Sequence, residues 1–410
     1  MKKAYLRLKI ACYGGSATMA VAANLPPVLF LTFRKLYGIS FAEMGLLVLV
    51  NYLTQLGVDL FLTLFPRTMR PALLLKGMPV LSLLGFGIYG LWPTLFPGFV
   101  FAGLLLGTVI FSAAAGLGEV LISPVIASIP SPDPEKQMAS LHSAYAWATI
   151  PVVILSALFL ERFGAERWQL LLLLFSAVPL ADLLLFCGAS FPPSESDAPE
   201  RKKQEKPLWK NGSFRLLVCA IFLSGAAECT MSQWASGYLE SALGIPKIWG
   251  DVFGVALFAL MMGIGRSLHS EGKRELETVL ALGAAGTALC YGVASLTPFP
   301  ILGLFACALT GLASALLWPG SLVLASGFFP RGGVFLFAAM AAGGDLGASV
   351  GPQLVGLITD GAMLWEPMQS LATLLGIGTE SLAMRLALLL GMVFPLGAFF
   401  AFRKIRKRKT

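Results

Sequence analysis

Long apolar runs separated by short polar or charged segments dominate the sequence from residue 10 to residue 402. A membrane-spanning helix needs about 20 consecutive, mostly apolar residues. By this criterion the pattern predicts twelve spans, at 10–33, 41–65, 71–92, 97–128, 139–160, 168–190, 213–239, 249–269, 275–296, 299–327, 332–359 and 382–402. Glycine and proline are frequent inside these runs, which membrane helices tolerate for close packing and kinks. The pattern therefore predicts an all-α polytopic membrane protein.

One polar stretch, residues 191–212, interrupts the apolar pattern near the middle of the chain and contains a basic cluster at 201–203. This stretch predicts a cytoplasmic linker between an N-terminal six-helix bundle, 1–190, and a C-terminal six-helix bundle, 213–410. Because six is an even number, both halves run through the membrane in the same direction. A pair of parallel pseudo-repeats, related by an axis along the membrane normal, is the expected result.

A short motif supports this internal repeat. The spacing G-L-x-x-x-L-x-x-P begins at Gly116 and again at Gly311, a displacement of 195 residues. The first copy contains Glu119, the only ionisable side chain in the apolar run from about residue 96 to residue 129, and Ser314 occupies the corresponding place in the second. A carboxylate inside a membrane span is costly and marks a functional site by default. Glu119 is therefore the first candidate for proton coupling.

Composition and charge agree with a membrane protein. The chain is 57% hydrophobic and 13% charged, with a mean hydropathy of +0.79, whereas soluble domains carry about 25% charged residues. With the N-terminus placed inside, 24 of the 30 Lys and Arg residues lie on the cytoplasmic side, which predicts cytoplasmic termini in a plasma or inner membrane. The net charge of +8 therefore reflects topology and not nucleic-acid binding.

The ends of the chain and its cysteines add two further expectations. No cleavable signal pattern is evident at the N-terminus, so we expect the first apolar segment to be retained as a span. Six of the seven residues at 403–409 are basic, which favours contact with anionic lipid over a specific partner. The six cysteines show no metal-type spacing, and we expect neither a metal nor a cofactor.

Four spans carry motifs that resemble a known family. The seventh span contains GAAECTMSQWASGYL, with Glu228 and Trp234, and the eighth ends in MGIGRSL, with Arg266. The fourth has Glu119 five residues before Pro124, and the eleventh reads AAGGDLGASVGPQLVGLITD. Together with twelve spans and a charged linker, these motifs resemble the major facilitator superfamily, and most closely its fucose/glucose-galactose proton symporter group. The resemblance implies two six-helix bundles and proton-coupled sugar uptake.

The chain departs from that group at two places. Where the group carries an acid in its first span, this sequence has Pro26 and Pro27 after Asn24. The usual G-x-x-x-D-R loop after the second span is reduced to FPRTMRP, which keeps Arg67 and Arg70. The Gly-Pro-rich fifth span and early Arg of the fourth span that are typical of drug antiporters are absent, which argues against multidrug efflux.

Ionisable residues within the spans give a set of proton-coupling candidates: Glu119, Glu228, Asp345, Asp59 and His142. Asp59 follows Asn51 and Gln55 at helical spacing on one face. This stripe indicates either a site for a polar solute and a proton or cation, or a helix contact in which Asp59 pairs with Arg67 or an Arg of the eighth span. Asp345 either faces a cavity or packs against neighbouring helices. His142 shares a face with Tyr145 and is either a packing group or a proton relay to Glu119.

Polar and aromatic residues near these acids give the substrate-binding candidates: Asn24, Asn51, Gln55, Tyr145, Gln233, Trp234, Trp318 and Gln353. The two tryptophans either stack on the apolar face of a sugar or pack in the core. Arg67 and Arg266 are predicted to act as conformational gates. Asp182 is a weaker candidate, because the sixth span usually lies at the periphery of this architecture and a partner near the outer surface would satisfy it.

These features predict a secondary active transporter and not an enzyme. We expect a monomer that moves a small polar organic solute, a sugar in the first instance, by proton-coupled alternating access. Two alternatives stay open: an antiporter that exports an amphipathic compound or a lipid, and a transporter-like sensor that moves nothing. The sequence decides neither the solute nor the coupling ion.

Overall fold

The structure is a computed structural model that describes residues 5–64, 70–132, 134–192, 208–269, 275–330 and 333–409. Within these ranges it leaves undescribed the side chains at 63–64, 134–136, 139, 142, 146, 267–269, 333–334 and 408–409. The described residues form helices joined by short connections and contain no strand.

Seven α-helices make up the first half: α1 Leu6–Tyr37, α2 Phe41–Leu64, α3 Pro71–Leu95, α4 Val100–Ser128, α5 Pro134–Phe163, α6 Trp168–Phe175 and α7 Ala177–Cys187. Gly38 follows α1 with a φ of 68°, a left-handed conformation that glycine adopts without strain. Pro71 starts α3 at its first position, where the missing N–H is not needed. The six spans predicted for this half therefore correspond to α1–α5 and the α6–α7 pair.

Ten α-helices make up the second half: α8 Gly212–Leu243, α9 Lys247–Trp249, α10 Leu257–His269, α11 Leu276–Leu296, α12 Pro300–Ser314, α13 Leu317–Phe328, α14 Gly333–Leu364, α15 Glu366–Leu375, α16 Thr379–Gly391 and α17 Val393–Lys409. A π-helix, Gly250–Ala256, joins α9 to α10. Asn211 caps α8 by accepting hydrogen bonds from the backbone N–H groups of Ser213 and Phe214, which satisfies donors that a helix start leaves free.

Three predicted spans contain a break, and each break lies three residues before a proline. The interruptions occur at Ser176, at Leu316 and at Met392, ahead of prolines at 179, 319 and 395. A proline inside a helix cannot donate to the carbonyl four residues earlier, and its ring crowds that carbonyl. The proline therefore contributes to each interruption.

Eleven helical stretches of the described chain are long and apolar enough to cross a membrane. The helix α14 covers the eleventh predicted span and is not among these eleven, but its 32 residues measure about 48 Å at 1.5 Å per residue. Each of the twelve predicted spans is thus mainly helical where the structure describes it. The predicted all-α class is confirmed.

The chain divides into two compact units. The first contains Met1–Pro26, Thr54–Val152 and Arg162–Lys206, and the second contains Pro27–Leu53, Val153–Glu161 and Pro207–Thr410. This division differs from the predicted bundles, 1–190 and 213–410, because the end of α1 and the start of α2 pack with the C-terminal helices. The predicted boundaries stay a prediction.

Each unit has its own apolar core. In the first unit, residues of α1, α3, α4 and α7 pack together, among them Leu8, Leu75, Met78, Leu121 and Phe186. In the second unit, the core is formed mainly by α8, α11, α13, α14 and α17, and includes Phe214, Leu280, Leu317, Met340 and Phe402.

Candidate functional site

The two glycines that begin the repeated motif both allow a close helix contact. In the first unit, a Cβ on Gly116 of α4 would lie 3.2 Å from the Cα of Gln55 and 3.0 Å from the Cβ of Val58, both in α2. In the second unit, a Cβ on Gly311 of α12 would overlap the backbone carbonyl oxygen of Phe258 in α10. The tenth predicted span therefore packs on the eighth as the fourth packs on the second, which is the relation that two copies of one unit require.

The contact at Gly116 brings two carboxyl groups together in the first unit. Glu119 lies one turn beyond Gly116 on α4, and Asp59 lies one turn beyond Gln55 on α2, so both extend from the same helix contact. The two carboxyl groups are close enough to interact electrostatically. The Glu119 side chain is not covered by the described residues, whereas Asp59 is partly buried and its Oδ1 has no hydrogen-bond partner among them.

Two neighbouring carboxylates repel each other, and binding one proton or one cation removes that repulsion. A pair of this kind takes up and releases a proton as a unit and not as two independent residues. The sequence named Glu119 and Asp59 separately, and the structure pairs them.

Asn24 and Thr149 link α1 to α5 within the same unit. The Nδ2 of Asn24 donates to the carbonyl oxygen of Ala20 at 2.8 Å and to the Oγ1 of Thr149 at 3.3 Å. Thr149 donates in turn to the carbonyl oxygen of Tyr145 at 3.1 Å, and the Tyr145 side chain is exposed. The amide nitrogen of Asn24 is thus engaged by the protein.

In the second unit, Arg266 of α10 joins α8 to α12. Its guanidinium NH2 lies 3.6 Å from the Oε1 of Glu228, and its Nε donates to the carbonyl oxygen of Ala315 at 3.1 Å. That carbonyl is free to accept because the residue four positions later is Pro319, which has no N–H. The predicted proton-coupling acid Glu228 and the predicted gate Arg266 therefore form one charged contact.

Further polar groups surround Glu228. The neighbouring Cys229 donates through its thiol to the hydroxyl oxygen of Tyr52 at 3.5 Å, and Asp345 of α14 is buried within electrostatic range of Cys229. The Oε2 of Glu228 has no hydrogen-bond partner among the described residues. Both acids predicted for the second half thus lie in one polar region between α8 and α14.

Glycines of α14 create the space for Trp318. A Cβ on Gly344 would lie 2.5 Å from the Trp318 ring, and one on Gly347 would overlap the carbonyl oxygen of Phe222 in α8. A Cβ on Gly225 of α8 would also crowd Trp318, at 2.9 Å. The Trp318 ring is therefore wedged between α8 and α14.

Trp234 is enclosed by other aromatic rings. It is almost fully buried, its ring centre lies 5.8 Å from that of Phe30 and 5.9 Å from that of Phe41, and its Nε1 donates to the carbonyl oxygen of Pro352 at 2.9 Å. No face of the ring is open to a sugar in this state, so the geometry supports the packing alternative. Its assignment to substrate binding stays a prediction.

The predicted amide ligands are mostly buried. Asn51, Gln55 and Gln233 are buried, and Gln353 is partly buried with its Nε2 donating to the carbonyl oxygen of Ala42 at 3.3 Å. The Oε1 of Gln353 has no hydrogen-bond partner among the described residues. The amide oxygen of Gln353 is therefore able to accept a further hydrogen bond.

The sequence did not reveal a set of ionic contacts at the ends of α1 and α14 within the second unit. Arg34 at the end of α1 pairs with Glu380 of α16, and Lys35 pairs with Glu240 of α8, both at 2.8 Å. Asp360 of α14 accepts hydrogen bonds from backbone N–H groups at the start of α2, with a shortest distance of 2.6 Å. The favourable interaction of a carboxylate with a helix N-terminus explains the last contact.

A second unpredicted contact lies at the start of α10. Asp251 is fully buried in the π-helix, where the Nζ of Lys247 lies 3.1 Å from its Oδ2 and the hydroxyl of Ser236 donates to its Oδ1. A π-helix is rare and often marks a functional position. The three partners satisfy one another, so this charge pair is self-contained.

Asp182 is the one acid for which the structure changes the expected location of the partner. It is buried against α1, where its carboxyl oxygen accepts a hydrogen bond from Thr18 at 3.4 Å and where a Cβ on Gly14 would lie 2.8 Å from Oδ1. The expectation of a partner near the outer surface is wrong, because two glycines of α1 leave room for the carboxyl inside the unit.

Two predicted residues fall outside the description. Arg67 lies outside the described residues, and for His142 the side chain does. Among the described residues, no group of three or more His, Cys, Asp or Glu side chains is arranged to hold a metal ion. The proposed gate at Arg67 and the relay at His142 stay predictions.

Comparison with known proteins identifies the fold. No family model and no curated protein matches the chain. Among solved structures, the D-xylose-proton symporter matches with a TM-score of 0.74 at 15% identity, over 95% of this chain and 96% of that one. A bacterial homologue of the human lysosomal transporter Spinster, in an inward-facing and occupied conformation, matches with a TM-score of 0.70 at 14% identity, over 98% and 96%.

The E. coli fucose:proton symporter matches with a TM-score of 0.62 at 16% identity, over 98% of this chain and 99% of that one. A nucleoside transporter and a peptide transporter are also similar. At these identities the likeness establishes the fold. In its described residues the chain is an all-α, multi-pass membrane protein that shares the major facilitator fold with these structures, and the structures are of transporters and not of enzymes.

Proposed function

We propose that this chain, which has the major facilitator fold, is a secondary active transporter of a small polar organic solute and that it couples transport to protons. The observation that carries the proposal is the pairing of Glu119 with Asp59 in the first unit. These carboxyl groups lie on helices that otherwise consist largely of apolar residues. Such residues are retained inside membrane helices chiefly where they bind protons, ions or substrates.

Protonation of this pair provides the coupling step. A charged carboxylate needs water or a counter-charge, whereas a neutral one is tolerated in a closed, dry site. Binding a proton to Glu119 or Asp59 therefore favours whichever conformation excludes water from them. The free-energy difference between the two protonation states is thereby converted into a bias between conformations.

The ionic contacts of the second unit fit alternating access. Arg34, Lys35 and the start of α2 are held to α16, α8 and α14 by carboxylates. On the proposed topology, with both termini in the cytoplasm, these contacts lie on the outer side. A state that admits solute from outside requires them to separate, so we assign them to the outer-closed part of the cycle.

We infer a sugar as the solute class. Two structural neighbours are proton symporters of D-xylose and of fucose, and the acids of this chain are accompanied by amide side chains, of which Gln353 keeps a free oxygen. Amide groups donate and accept hydrogen bonds, as the hydroxyl groups of sugars require. We further propose uptake by a monomer in the plasma or inner membrane.

Reconstitution into proteoliposomes tests the function. With an imposed proton gradient, the purified protein should accumulate at least one member of a labelled sugar panel, and Glu119→Gln should abolish accumulation while retaining solute exchange. The matched control is Glu161→Gln, an exposed acid-to-amide change at the end of α5, which should leave accumulation intact. Undiminished accumulation by Glu119→Gln would remove this residue from the mechanism.

One feature favours the alternative in which an amphipathic compound or a lipid is exported. An open groove of about 530 Å³ between α11 and α17 is lined by apolar residues, including Leu289, Val293 and Phe399. A groove of this kind accommodates an acyl chain and not a sugar. A ligand that binds the folded protein raises its unfolding temperature, so stabilisation by lipids and not by sugars would support the exporter.

A further inference from the structure

The connection between α14 and α16 contains a short amphipathic helix that the span analysis did not reveal. The helix α15, Glu366–Leu375, ends at Gly376, whose φ of 67° terminates it in a left-handed conformation. Ten residues are about half of what a helix needs to cross a bilayer. The helix therefore has another role than spanning the membrane.

One edge of α15 packs on the protein. Met368 and Ala372, one turn apart, are buried together with Ala362 of α14 and Ala383 of α16. This contact fixes the rotation of α15 about its axis, because the two buried residues must face α16. The directions of the remaining side chains follow from the helical period of 3.6 residues.

A stripe of leucines next to that edge is uncovered. Leu364, just before α15, is 82% exposed and Leu374 is 83% exposed, and Leu371 and Leu375 are exposed as well. Leu371, Leu374 and Leu375 belong to α15, and at 100° per residue these three positions fall within one third of the helix circumference. Trp365, at the start of the helix, is also exposed.

The opposite side of α15 is polar. Glu366, Gln369, Ser370 and Thr373 are all exposed, and Gln369 donates to the carbonyl oxygen of Met363 at 2.9 Å. A helix with an exposed apolar stripe on one side and polar residues on the other is typical of the membrane interface. Its neighbours agree with that location, since α16 and α17 together form a membrane span.

We propose that α15 lies in the membrane interface with its leucine stripe, Leu371, Leu374 and Leu375, inserted among the lipid acyl chains. Trp365 would lie at the level of the headgroups, where tryptophan is enriched, and the polar side would face water. No Lys or Arg occurs between residues 365 and 384. The binding is therefore driven by apolar contact and not by attraction to anionic lipid.

The helix α15 connects two segments whose carboxylates bind α1 and α2. It lies between Asp360, which binds the start of α2, and Glu380, which pairs with Arg34. Anchoring α15 at the membrane surface therefore fixes the depth at which both carboxylates stand. The inference does not depend on which solute is transported.

Site-specific photocrosslinking tests the proposal in the full-length protein. A photoreactive amino acid is placed at Leu371 or Leu374, and at Gln369 or Thr373 as matched controls on the polar side of the same helix. After reconstitution in neutral phosphatidylcholine and illumination, intact-mass analysis should show lipid adducts at the two leucine positions at least five-fold above the two controls.

Several outcomes would overturn the proposal. Equal lipid labelling at all four positions, or none at the leucines, would show that the stripe is not in the bilayer. Adducts to a second copy of the chain would show that it is a protein interface. Labelling that rises more than two-fold when anionic lipid is added would contradict an apolar anchor. A spin label at Leu374, with accessibility to oxygen compared with a water-soluble relaxant, provides an independent readout.

Discussion

The repeated glycines make a quantitative prediction about stability. In Gly311→Ala the new methyl group would overlap the carbonyl oxygen of Phe258, a backbone atom that cannot move without shifting α10. Overpacking of this kind costs about 1–3 kcal/mol. In Gly116→Ala the nearest atoms would lie at 3.0 Å and 3.2 Å, so a small shift of α2 suffices and we expect a smaller loss.

The matched control is Gly263→Ala in α10, where an added Cβ meets no atom within 4 Å. Alanine is preferred to glycine inside a helix by up to about 1 kcal/mol, so this change should be neutral or stabilising. The three substitutions are chemically identical and differ in the space available. Their order of stability should be Gly263→Ala first, Gly116→Ala second and Gly311→Ala last.

The buried cysteines of the protein supply the assay. Cys12, Cys229 and Cys307 are buried, whereas Cys187 and Cys219 are exposed. A thiol-reactive fluorophore therefore labels the two exposed cysteines in the folded protein and reaches the three buried cysteines only after unfolding. One kcal/mol shifts the unfolding temperature of a domain of 150–250 residues by about 2–4 °C, and we expect Gly311→Ala to unfold several degrees below the control. If both unfold at the same temperature, the close contact between α12 and α10 does not exist.

Two further predictions concern the second unit. Arg34→Ala and Glu380→Ala should each lower the unfolding temperature slightly. Because the pair is partly exposed, a double-mutant cycle should give a coupling energy of about 0.2–1 kcal/mol. A charge-swapped double variant that unfolds at a lower temperature than both single variants would contradict the pairing. Trp234→Phe removes the donor to the Pro352 carbonyl and should lower the free energy of unfolding by about 1 kcal/mol more than Trp318→Phe does. The second variant loses the same part of the ring without a known hydrogen bond. Equal unfolding temperatures of the two variants would count against the hydrogen bond of Trp234.

Much of the fold could be predicted because the bilayer imposes a simple rule. Every backbone polar group must be satisfied within the helix, so an apolar run of sufficient length indicates a helix wherever it occurs. The breaks at Ser176, Leu316 and Met392 were not predicted, although a proline follows each by three residues. Other prolines, such as Pro124 and Pro352, lie inside unbroken helices, so a proline alone does not predict a break.

The candidate site, too, could be predicted only in part from the sequence. A helical period identifies the face that a residue occupies but not the helix that faces it. Glu119 and Asp59 could each be found as acids in apolar runs, and their pairing depends on Gly116, whose lack of a side chain lets α4 approach α2. A glycine three residues before the acid therefore indicates that a second helix lies close to the acid, although it does not identify that helix.

The contacts of Arg34, Lys35 and Asp360 had no such signal. Arg34 and Glu380 are 346 residues apart, and both lie at helix ends where charged residues are common for reasons of solubility and topology. A charge at a helix end is compatible with any opposite charge on the same side of the membrane, so periodicity cannot choose among them. Phe30 and Phe41 pack around Trp234 in the same unit. The partners of Arg34 and Lys35 therefore follow from how the end of α1 packs with the C-terminal helices, and a periodic pattern contains no information on that packing.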